Sequence, residues 1–322
     1  MGAVQFRLCA QTHVGCVRTN NEDNVIVNPD LSKDEWGLPS DSTLHTLGLK
    51  GALLVVADGM GGLEAGEIAS QIAIDTIKAF FSPGNITDET VKDDASIRQY
   101  MGKAIAAADA NIRKAAGEES AIGSMGTTIV VTWLFNNFAY TMWCGDSRLY
   151  MFSALSGLEQ KSRDHSYVQD LVNKGELAAE LAFDHPDSNI ITRSLGHPVQ
   201  AAMPDFVKNE LCCDSLLLLC SDGLNSMLKD DEIEAIIRQN PDSTDSCACN
   251  LTAEALDKGG YDNVTLILCR IVRKEDDASS EPLSATVYEA KARASKRRAW
   301  MIAGLIIIIL LAALIFIVSF CR

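Results

Sequence analysis

Runs of apolar and often β-branched residues mark the strands of this chain. Six runs have the length and composition of buried strands: 25–27, 52–57, 127–133, 138–143, Leu216–Cys220 and 264–271. The pair Asn136-Asn137 between two of them predicts a hairpin turn. Because several strands follow one another without a helix between them, the pattern favours an antiparallel β-sandwich flanked by helices over a doubly wound parallel sheet.

Helical patterns separate and follow the strands. Residues 63–81 place isoleucines on one face, and residues 97–116 are rich in alanine, which predicts two long helices. Residues 233–238 and 247–256 predict two more near the end of the body. With no internal repeat, the body is expected to be a single α+β domain over residues 1–273.

The last part of the chain has a different pattern. Residues 299–320 contain no charged residue, and 302–318 are apolar on every helical face. At about 1.5 Å per residue such a helix is about 33 Å long, enough for a hydrocarbon core of about 30 Å. A buried core helix is the alternative, but such helices seldom run so far without polar residues. We therefore expect a C-terminal transmembrane helix at 299–320, a tail anchor joined to the body by a polar and then basic linker at 274–298.

Charge is unevenly distributed along the chain. The 322 residues carry a net charge of -15, yet residues 289–322 hold six basic residues and one acidic residue, so the first 288 carry about -20. A body this acidic argues against a nucleic-acid partner. Five of the basic residues precede the apolar segment and only Arg322 follows it, which predicts a single-pass protein with a cytoplasmic body.

The cysteines support the same compartment. There are ten, none in a CxxC pair, and most lie in apolar runs, as expected of small buried side chains in a reducing environment. The Asn-x-Ser/Thr sequences at Asn85, Asn250 and Asn263 are accordingly expected to stay unmodified.

Aspartates stand at the ends of the apolar runs. Asp58-Gly59 and Asp222-Gly223 each follow one, whereas Asp23 and Asp262 each precede one. A single Asp-Gly is most often just a turn. Four such acids at one edge of a sheet would repel strongly unless cations held them, and their hard oxygens favour Mg²⁺ or Mn²⁺ over Zn²⁺. Glycine beside Asp58 would also let backbone carbonyls approach a metal.

These acids belong to an ordered series of motifs that resembles the metal-dependent protein phosphatases (PPM, type 2C), most closely their bacterial branch. The resemblance extends over about residues 4–273. It rests on Arg18-Thr-Asn-Asn-Glu22-Asp23, Val56-Ala-Asp58-Gly59-Met-Gly-Gly, Gly126-Thr-Thr, Cys144-Gly145-Asp146-Ser147-Arg148, Asp164-His-Ser, Thr192-Arg-Ser-Leu-Gly196, Ser221-Asp222-Gly-Leu and Gly259-Gly-Tyr-Asp262-Asn263-Val-Thr.

The resemblance implies an α-β-β-α sandwich of two antiparallel sheets and assigns roles to the motif residues. Two metals would be held by Asp23, Asp58, the Gly59 carbonyl, Asp222 and Asp262. Asp146 would join Asp222 at a third, weaker site, or is simply a turn aspartate. Glu22 would act through a water on the metal. Arg18 would bind the phosphate, the alternative being a solvated arginine near a turn.

Three features depart from the family pattern. Met60 stands where many eukaryotic relatives have a histidine proposed as general acid, so that role is unassigned, and His165 is interpreted as a structural histidine at a helix start. Residues 28–49 form a longer connection than usual, with no assigned role. Residues 171–198 correspond to the family's flap beside the site, and their composition suggests a mobile segment.

Together these features predict a membrane-anchored, Mn²⁺- or Mg²⁺-dependent phosphatase that uses two or three metals to remove phosphate from serine or threonine of cytoplasmic proteins. A serine/threonine kinase at the same membrane is the expected opposing partner. One alternative is a catalytically silent scaffold that binds phosphoproteins, although a silent relative would not need every acid. Another is a stress-signalling phosphatase that acts on one small regulator.

Overall fold

Twelve strands and six α-helices account for most of the residues described by the computed structural model, which are 4–39, 43–61, 64–118 and 125–273. The strands are β1 (Gln5–His13), β2 (Asp23–Asn28), β3 (Leu44–Thr46), β4 (Ala52–Gly61), β5 (Met125–Thr127), β6 (Ile129–Phe135), β7 (Phe138–Cys144), β8 (Arg148–Ser153), β9 (Gly157–Gln160), β10 (Asp205–Glu210), β11 (Leu216–Cys220) and β12 (Val264–Arg273).

The strands form two antiparallel sheets. The first has the order β3-β1-β12-β11-β8-β9, and the second has the order β10-β7-β6-β4-β2, with β5 paired to β4. Each strand pair in both sheets runs antiparallel. The predicted sandwich of two antiparallel sheets is confirmed.

Helices cover the outer face of each sheet. The helices are α1 (Ala65–Phe80), α2 (Asp94–Glu118), α3 (Tyr167–Asn173), α4 (Asp222–Asn225), α5 (Asp230–Gln239) and α6 (Thr244–Asp257). Helices α1 and α2 pack on the second sheet, whereas α5 and α6 pack on the first. The four helices predicted from sequence are confirmed, and α2, α5 and α6 each begin three residues earlier than predicted.

Three apolar layers explain why the central strands are apolar at every position. Along β4, Leu53 and Val55 face the helices α1 and α2, whereas Leu54 and Val56 face the other sheet. Strand β11 likewise divides its side chains between the inter-sheet core and the layer under α4, α5 and α6. A strand buried on both faces is apolar at successive positions and does not alternate between polar and apolar residues. Such a continuous apolar run is easy to recognise in the sequence.

Two sequence predictions need correction. Strand β4 does not end before Asp58 but continues to Gly61, because β5 pairs with its last residues. The run at 127–133 is divided at Thr128, where the chain leaves β5 and enters β6. The hairpin at Asn136-Asn137 is confirmed, and Asn136 takes a positive φ of 52° there.

Five strands were not predicted from sequence: β1, β3, β8, β9 and β10. Three of these, β3, β9 and β10, lie at sheet edges. The inserted segment 28–49 contributes one of these: β3 pairs with β1 and becomes the edge strand of the first sheet. The side chains of β3 and β10 are all partly or fully exposed, so these sequences lack a continuous apolar run.

Several predicted features fall outside the described residues. These are Gly62, Leu63 at the start of the first predicted helix, the linker 274–298 and the predicted transmembrane helix 299–320. In the part of the chain that is described, no helix has the length and apolarity to cross a membrane.

Candidate active site

Asp23 and Asp58 face each other at one end of the second sheet. They are directly paired residues in the β2–β4 ladder. The carboxylate of Asp23 is buried and accepts a hydrogen bond from the hydroxyl of Ser221, which lies on the first sheet's side of the site, at 2.7 Å. The register of β2 against β4 therefore sets two carboxylates side by side, as the strand-end pattern predicted.

Asp222 and Asp262 occupy the matching end of the first sheet. Asp222 begins α4 just after β11 ends, and Asp262 lies two residues before β12. The two segments are held together because the Ser221 amide donates to the Thr265 carbonyl at 3.0 Å. A Cβ on Gly223 would lie 2.0 Å from the Asn263 carbonyl oxygen, so only glycine lets these segments come so close.

Burial and mutual repulsion dominate the electrostatics of the acids. Burial, reinforced by Asp222 and Asp262, raises the pKa of Asp23 to about 8. Burial and then the charge of Asp262 raise the pKa of Asp222 to about 6. The pKa of Asp58 is raised well above its ordinary value, first by burial and then by Asp23 and Asp222. These carboxylates are unfavourable as anions unless positive charge is supplied.

Asp146 lies in the turn between β7 and β8, where the chain passes from the second sheet to the first. It is buried, and burial followed by the charge of Asp222 raises its pKa well above the ordinary range. Gly145 before it has a φ of 119°, and a Cβ there would lie 2.5 Å from Thr128. Asp146 is thus part of the same electrostatic group rather than an isolated turn residue.

A cleft of about 630 Å³ opens beside Asp146 and Asp222. It is walled by α3 and the segment after it, which belongs to the predicted flap, and by the start of α5. Arg148 lies in this cleft and is bound in a fork by Asp164, with Nη2 to Oδ2 at 2.6 Å. The acids Asp146 and Asp222 therefore open onto a cleft lined by residues of α3, the flap and α5.

Arg18 binds Asp262, and neither residue lines the cleft. Its Nη2 donates to Oδ2 of Asp262 at 2.7 Å, and this bond is the main reason that the pKa of Arg18 is raised. The side chain of Arg18 remains half exposed. Arg18 can therefore present its remaining N–H donors to an anion while it neutralises one of the acids.

Glu22 is joined to the site mainly through its backbone. Its carbonyl accepts from the amide of Gly59 at 3.2 Å and from the hydroxyl of Ser70 at 2.6 Å. Burial raises the pKa of its side chain, while Arg18 opposes the shift. A Cβ on Gly59 would lie 2.1 Å from the Gly66 carbonyl oxygen, so glycine is required here by the close approach of α1.

Asn263 bonds three backbone groups around the site, a role that was not predicted from sequence. Its side-chain amide donates to the carbonyls of Val14 and Asn20, both at 2.9 Å, and its Oδ1 accepts from the amide of Glu22 at 2.7 Å. It thereby fixes the loop that carries Arg18. The available signal was its place beside Asp262 in the motif Gly259-Gly-Tyr-Asp262-Asn263-Val-Thr.

His165 is structural, as expected. The residue is buried, its Nδ1 accepts from the amide of Gly145 at 3.1 Å, and its ring stacks on Trp143. Its Nε2 lies 3.2 Å from Asp205, away from the acids. Burial lowers the pKa of His165, and the hydrogen bond with Asp205 opposes that shift.

The donor set fits divalent cations. The converging groups are all oxygens, four of the carboxylates have pKa values raised by burial, and hard oxygen ligands suit Mg²⁺ and Mn²⁺. Within residues 4–39, 43–61, 64–118 and 125–273, no three acidic, histidine or cysteine side chains already stand at the mutual spacing of metal ligands. In the structure Arg18 is bonded to Asp262 and Ser221 to Asp23.

The order and spacing of these residues along the chain agree with a known family. The family model described as protein phosphatase 2C matches residues 35–255, which include Asp58, Asp146 and Asp222. This chain belongs to the protein phosphatase 2C family. The resemblance inferred from the motifs is confirmed at that level.

Members of the family from bacteria are similar over most of the chain. The serine/threonine phosphatase stp of Listeria welshimeri is 31% identical over 275 residues, which are 84% of this chain and 98% of that protein. The solved structure of the S. agalactiae serine/threonine phosphatase has a TM-score of 0.70 at 27% identity. That match covers 83% of this chain and 100% of the other.

A second solved structure bears on the acids. It is the catalytic domain of the serine/threonine protein phosphatase PstP in complex with two manganese ions. Its TM-score is 0.66 at 28% identity, and the match covers 84% of this chain and 100% of that one. A protein phosphatase 2C relative with this fold therefore binds manganese.

Proposed function

We propose that this chain is a Mn²⁺- or Mg²⁺-dependent phosphatase that hydrolyses phosphoserine and phosphothreonine in proteins. The observation that carries the proposal is the convergence of Asp23 and Asp58 from one sheet with Asp222 and Asp262 from the other, in a member of the protein phosphatase 2C family. Buried like charges so placed repel one another, and bound cations would offset that repulsion.

In this proposal the acids and one backbone carbonyl hold two cations. Asp23, Asp58, the Gly59 carbonyl, Asp222 and Asp262 are the proposed ligands, and Asp146 with Asp222 would hold a third. When bound, divalent cations would offset the charge of the phosphate and lower the pKa of water, so that hydroxide is available to attack phosphorus. Because Asp262 is bound by Arg18, cation binding would require that ion pair to open or rearrange.

Arg18 and Glu22 are the proposed catalytic side chains. The planar guanidinium of Arg18 is half exposed and would bind two phosphate oxygens with its free donors. Glu22 would accept a hydrogen bond from water beside the phosphate, because burial disfavours its charge and makes a proton partner favourable. Asn263 would hold both residues in place through the loop backbone.

The test is metal-dependent hydrolysis by the full chain in detergent. We expect turnover of p-nitrophenyl phosphate and of phosphothreonine peptides with added Mn²⁺, and loss of turnover in EDTA that Mn²⁺ restores. Asp58→Asn and Asp222→Asn should each nearly abolish turnover while circular dichroism stays unchanged. Full turnover after exhaustive chelation would contradict the metal mechanism.

A catalytically silent scaffold remains the alternative to an enzyme. It is disfavoured because every acid of the motif series is retained and the groups converge in the fold. A protein that bound phosphopeptides in EDTA but released no phosphate with any divalent cation would favour the scaffold.

We further propose that residues 299–320 anchor the chain in a membrane, with the body on the cytoplasmic side. Support comes from the uncharged apolar segment and from the five basic residues that precede it against one that follows. A serine/threonine kinase at the same membrane would be the opposing partner. Protease protection with a tag at Met1 tests the orientation, and recovery of the full chain in the soluble fraction would contradict the anchor.

A further inference from the structure

Two loops lie against each other at the edge of the candidate active site. The amide of Cys16 donates to the Gly260 carbonyl at 2.7 Å, and two residues later Arg18 binds Asp262 at 2.7 Å. A Cβ on Gly15 would lie 2.2 Å from the Asp262 carbonyl oxygen, so the two backbones are as close as glycine permits. Direct backbone contacts therefore fix the distance between the loops.

Val17 and Tyr261 are the residues between these contacts, one on each loop. Both are apolar or aromatic and both are exposed, Val17 at 61% and Tyr261 at 62%. The ring of Tyr261 lies beside Gly259, where a Cβ would be 2.8 Å from Cζ, so the backbone supports the ring. A supported aromatic ring loses little freedom when a ligand packs on it. We call Val17 and Tyr261 together the apolar rim.

We propose that the apolar rim is the docking surface for the substrate residues next to the phosphorylated serine or threonine, and that it favours an apolar or aromatic side chain there. This inference rests on the proposed phosphatase activity. Val17 and Tyr261 adjoin Arg18 and Asp262 in sequence, at about 3.8 Å between neighbouring Cα atoms.

Geometry limits which substrate residues can meet the rim. An extended peptide advances about 3.3 Å per residue, so with its phosphate at Arg18 only the side chains one or two residues away reach Val17 and Tyr261. An aromatic ring supplies a large contact area for such a side chain. The cleft beside Asp222 has a mixed lining, with charged residues such as Asp164 and apolar ones such as Phe183. Because Val17 and Tyr261 form one rim, an extended peptide would meet it on one side of the phosphoresidue only.

The test compares substrates of different size in the full chain in detergent with Mn²⁺. Phosphothreonine peptides with phenylalanine or glycine at each neighbouring position are compared with p-nitrophenyl phosphate, which has no neighbouring residue. The variants are Tyr261→Ala, Tyr261→Phe and Val17→Ser. Leu155→Ala is the matched control, because Leu155 is 83% exposed in the β8–β9 hairpin and plays no part in the site.

We expect the unaltered chain to prefer phenylalanine over glycine at one side of the phosphothreonine by about tenfold in kcat/KM, the scale of one aromatic contact. Tyr261→Ala should remove most of this preference by raising KM for the phenylalanine peptide. It should also lower the ratio of peptide turnover to p-nitrophenyl phosphate turnover. Val17→Ser should weaken the preference, whereas Tyr261→Phe and Leu155→Ala should retain it.

Other outcomes overturn the proposal. A preference that survives Tyr261→Ala, or an equal fall for peptide and p-nitrophenyl phosphate, would show that the rim does not bind the substrate. If the unaltered chain hydrolysed both kinds of substrate but preferred no apolar neighbour, the rim proposal would fail and the phosphatase proposal would stand. An unaltered chain inactive toward all substrates would contradict the proposed function and the rim with it.

Discussion

The hydroxyl of Ser221 donates to Oδ2 of Asp23 at 2.7 Å and thereby joins the two sheets inside the candidate active site. The two residues are 198 positions apart, and both are buried. The same Ser221 oxygen accepts from the Thr265 amide at 3.1 Å. Ser221 therefore ties a proposed metal ligand of one sheet to the backbone of the other.

Ser221→Ala should lower both stability and activity. Removal of the hydroxyl leaves a buried carboxylate and a buried amide each without this partner, which costs about 1–3 kcal/mol of unfolding free energy. Asp23 would also lose its fixed orientation, so the Mn²⁺ concentration needed for half-maximal activity should rise. Urea unfolding and Mn²⁺ titrations measure the two effects. Ser156→Ala, in the distant β8–β9 turn, is the control and should leave the Mn²⁺ requirement unchanged.

The raised pKa of Asp23 predicts a pH-dependent stability of the metal-free protein. Its pKa is about 8 in the folded chain, against an ordinary value of 3.8, with burial as the main cause. Because the folded state favours the protonated group, its contribution is complete below about pH 4 and is lost as pH rises through about 8. In EDTA, Asp23→Asn should therefore raise the melting temperature more at pH 8.5 than at pH 5.

Added Mn²⁺ supplies the control for that experiment. A bound cation would offset the charge of Asp23, so the unaltered chain should gain melting temperature from Mn²⁺ at pH 8.5 and Asp23→Asn should gain less. An identical difference in melting temperature between the two proteins at both pH values would contradict the role of Asp23 ionisation.

Arg18→Ala should separate phosphate binding from cation binding. Loss of charge-assisted bonds to phosphate should raise KM by about tenfold or more, with a smaller change in kcat. Asp262 would at the same time lose the ion pair that holds its Oδ2, so the Mn²⁺ requirement should fall. Steady-state kinetics at several Mn²⁺ concentrations measure both effects. The KM of Arg18→Lys should lie between that of the unaltered chain and that of Arg18→Ala. A KM equal to that of the unaltered chain would exclude Arg18 from phosphate binding.

Asn263→Asp should impair the site although the two side chains have almost the same shape. The new carboxylate would face the carbonyls of Val14 and Asn20, which now accept from the amide group. Two lost hydrogen bonds and the repulsion that replaces them should cost about 2–4 kcal/mol of unfolding free energy. The Arg18 loop would be released, so KM for p-nitrophenyl phosphate should rise as well. Loss of stability with unchanged KM would mean that Asn263 only supports the fold.

The central strands, the long helices and the family could be predicted from sequence by itself, because each has a strong local signal. The runs at β4 and β11 are apolar at every position since each strand is buried on both faces, and α1 and α2 have clear helical character. The motif series placed the acids beside these elements and indicated the family that the comparisons confirm. Short strands such as β3 and β9 lacked such signals because most of their side chains are partly or fully exposed.

Only the tertiary structure decided which groups meet. Arg18 and Asp262 are 244 residues apart, and no local pattern indicates that the guanidinium binds this acid. The loop contacts made by Asn263 and the exposure of Val17 and Tyr261 at the same edge likewise depend on how the two sheets pack. Local sequence sets the direction in which each side chain leaves its strand, whereas the distance between two side chains on different sheets depends on the packing of the entire core between them.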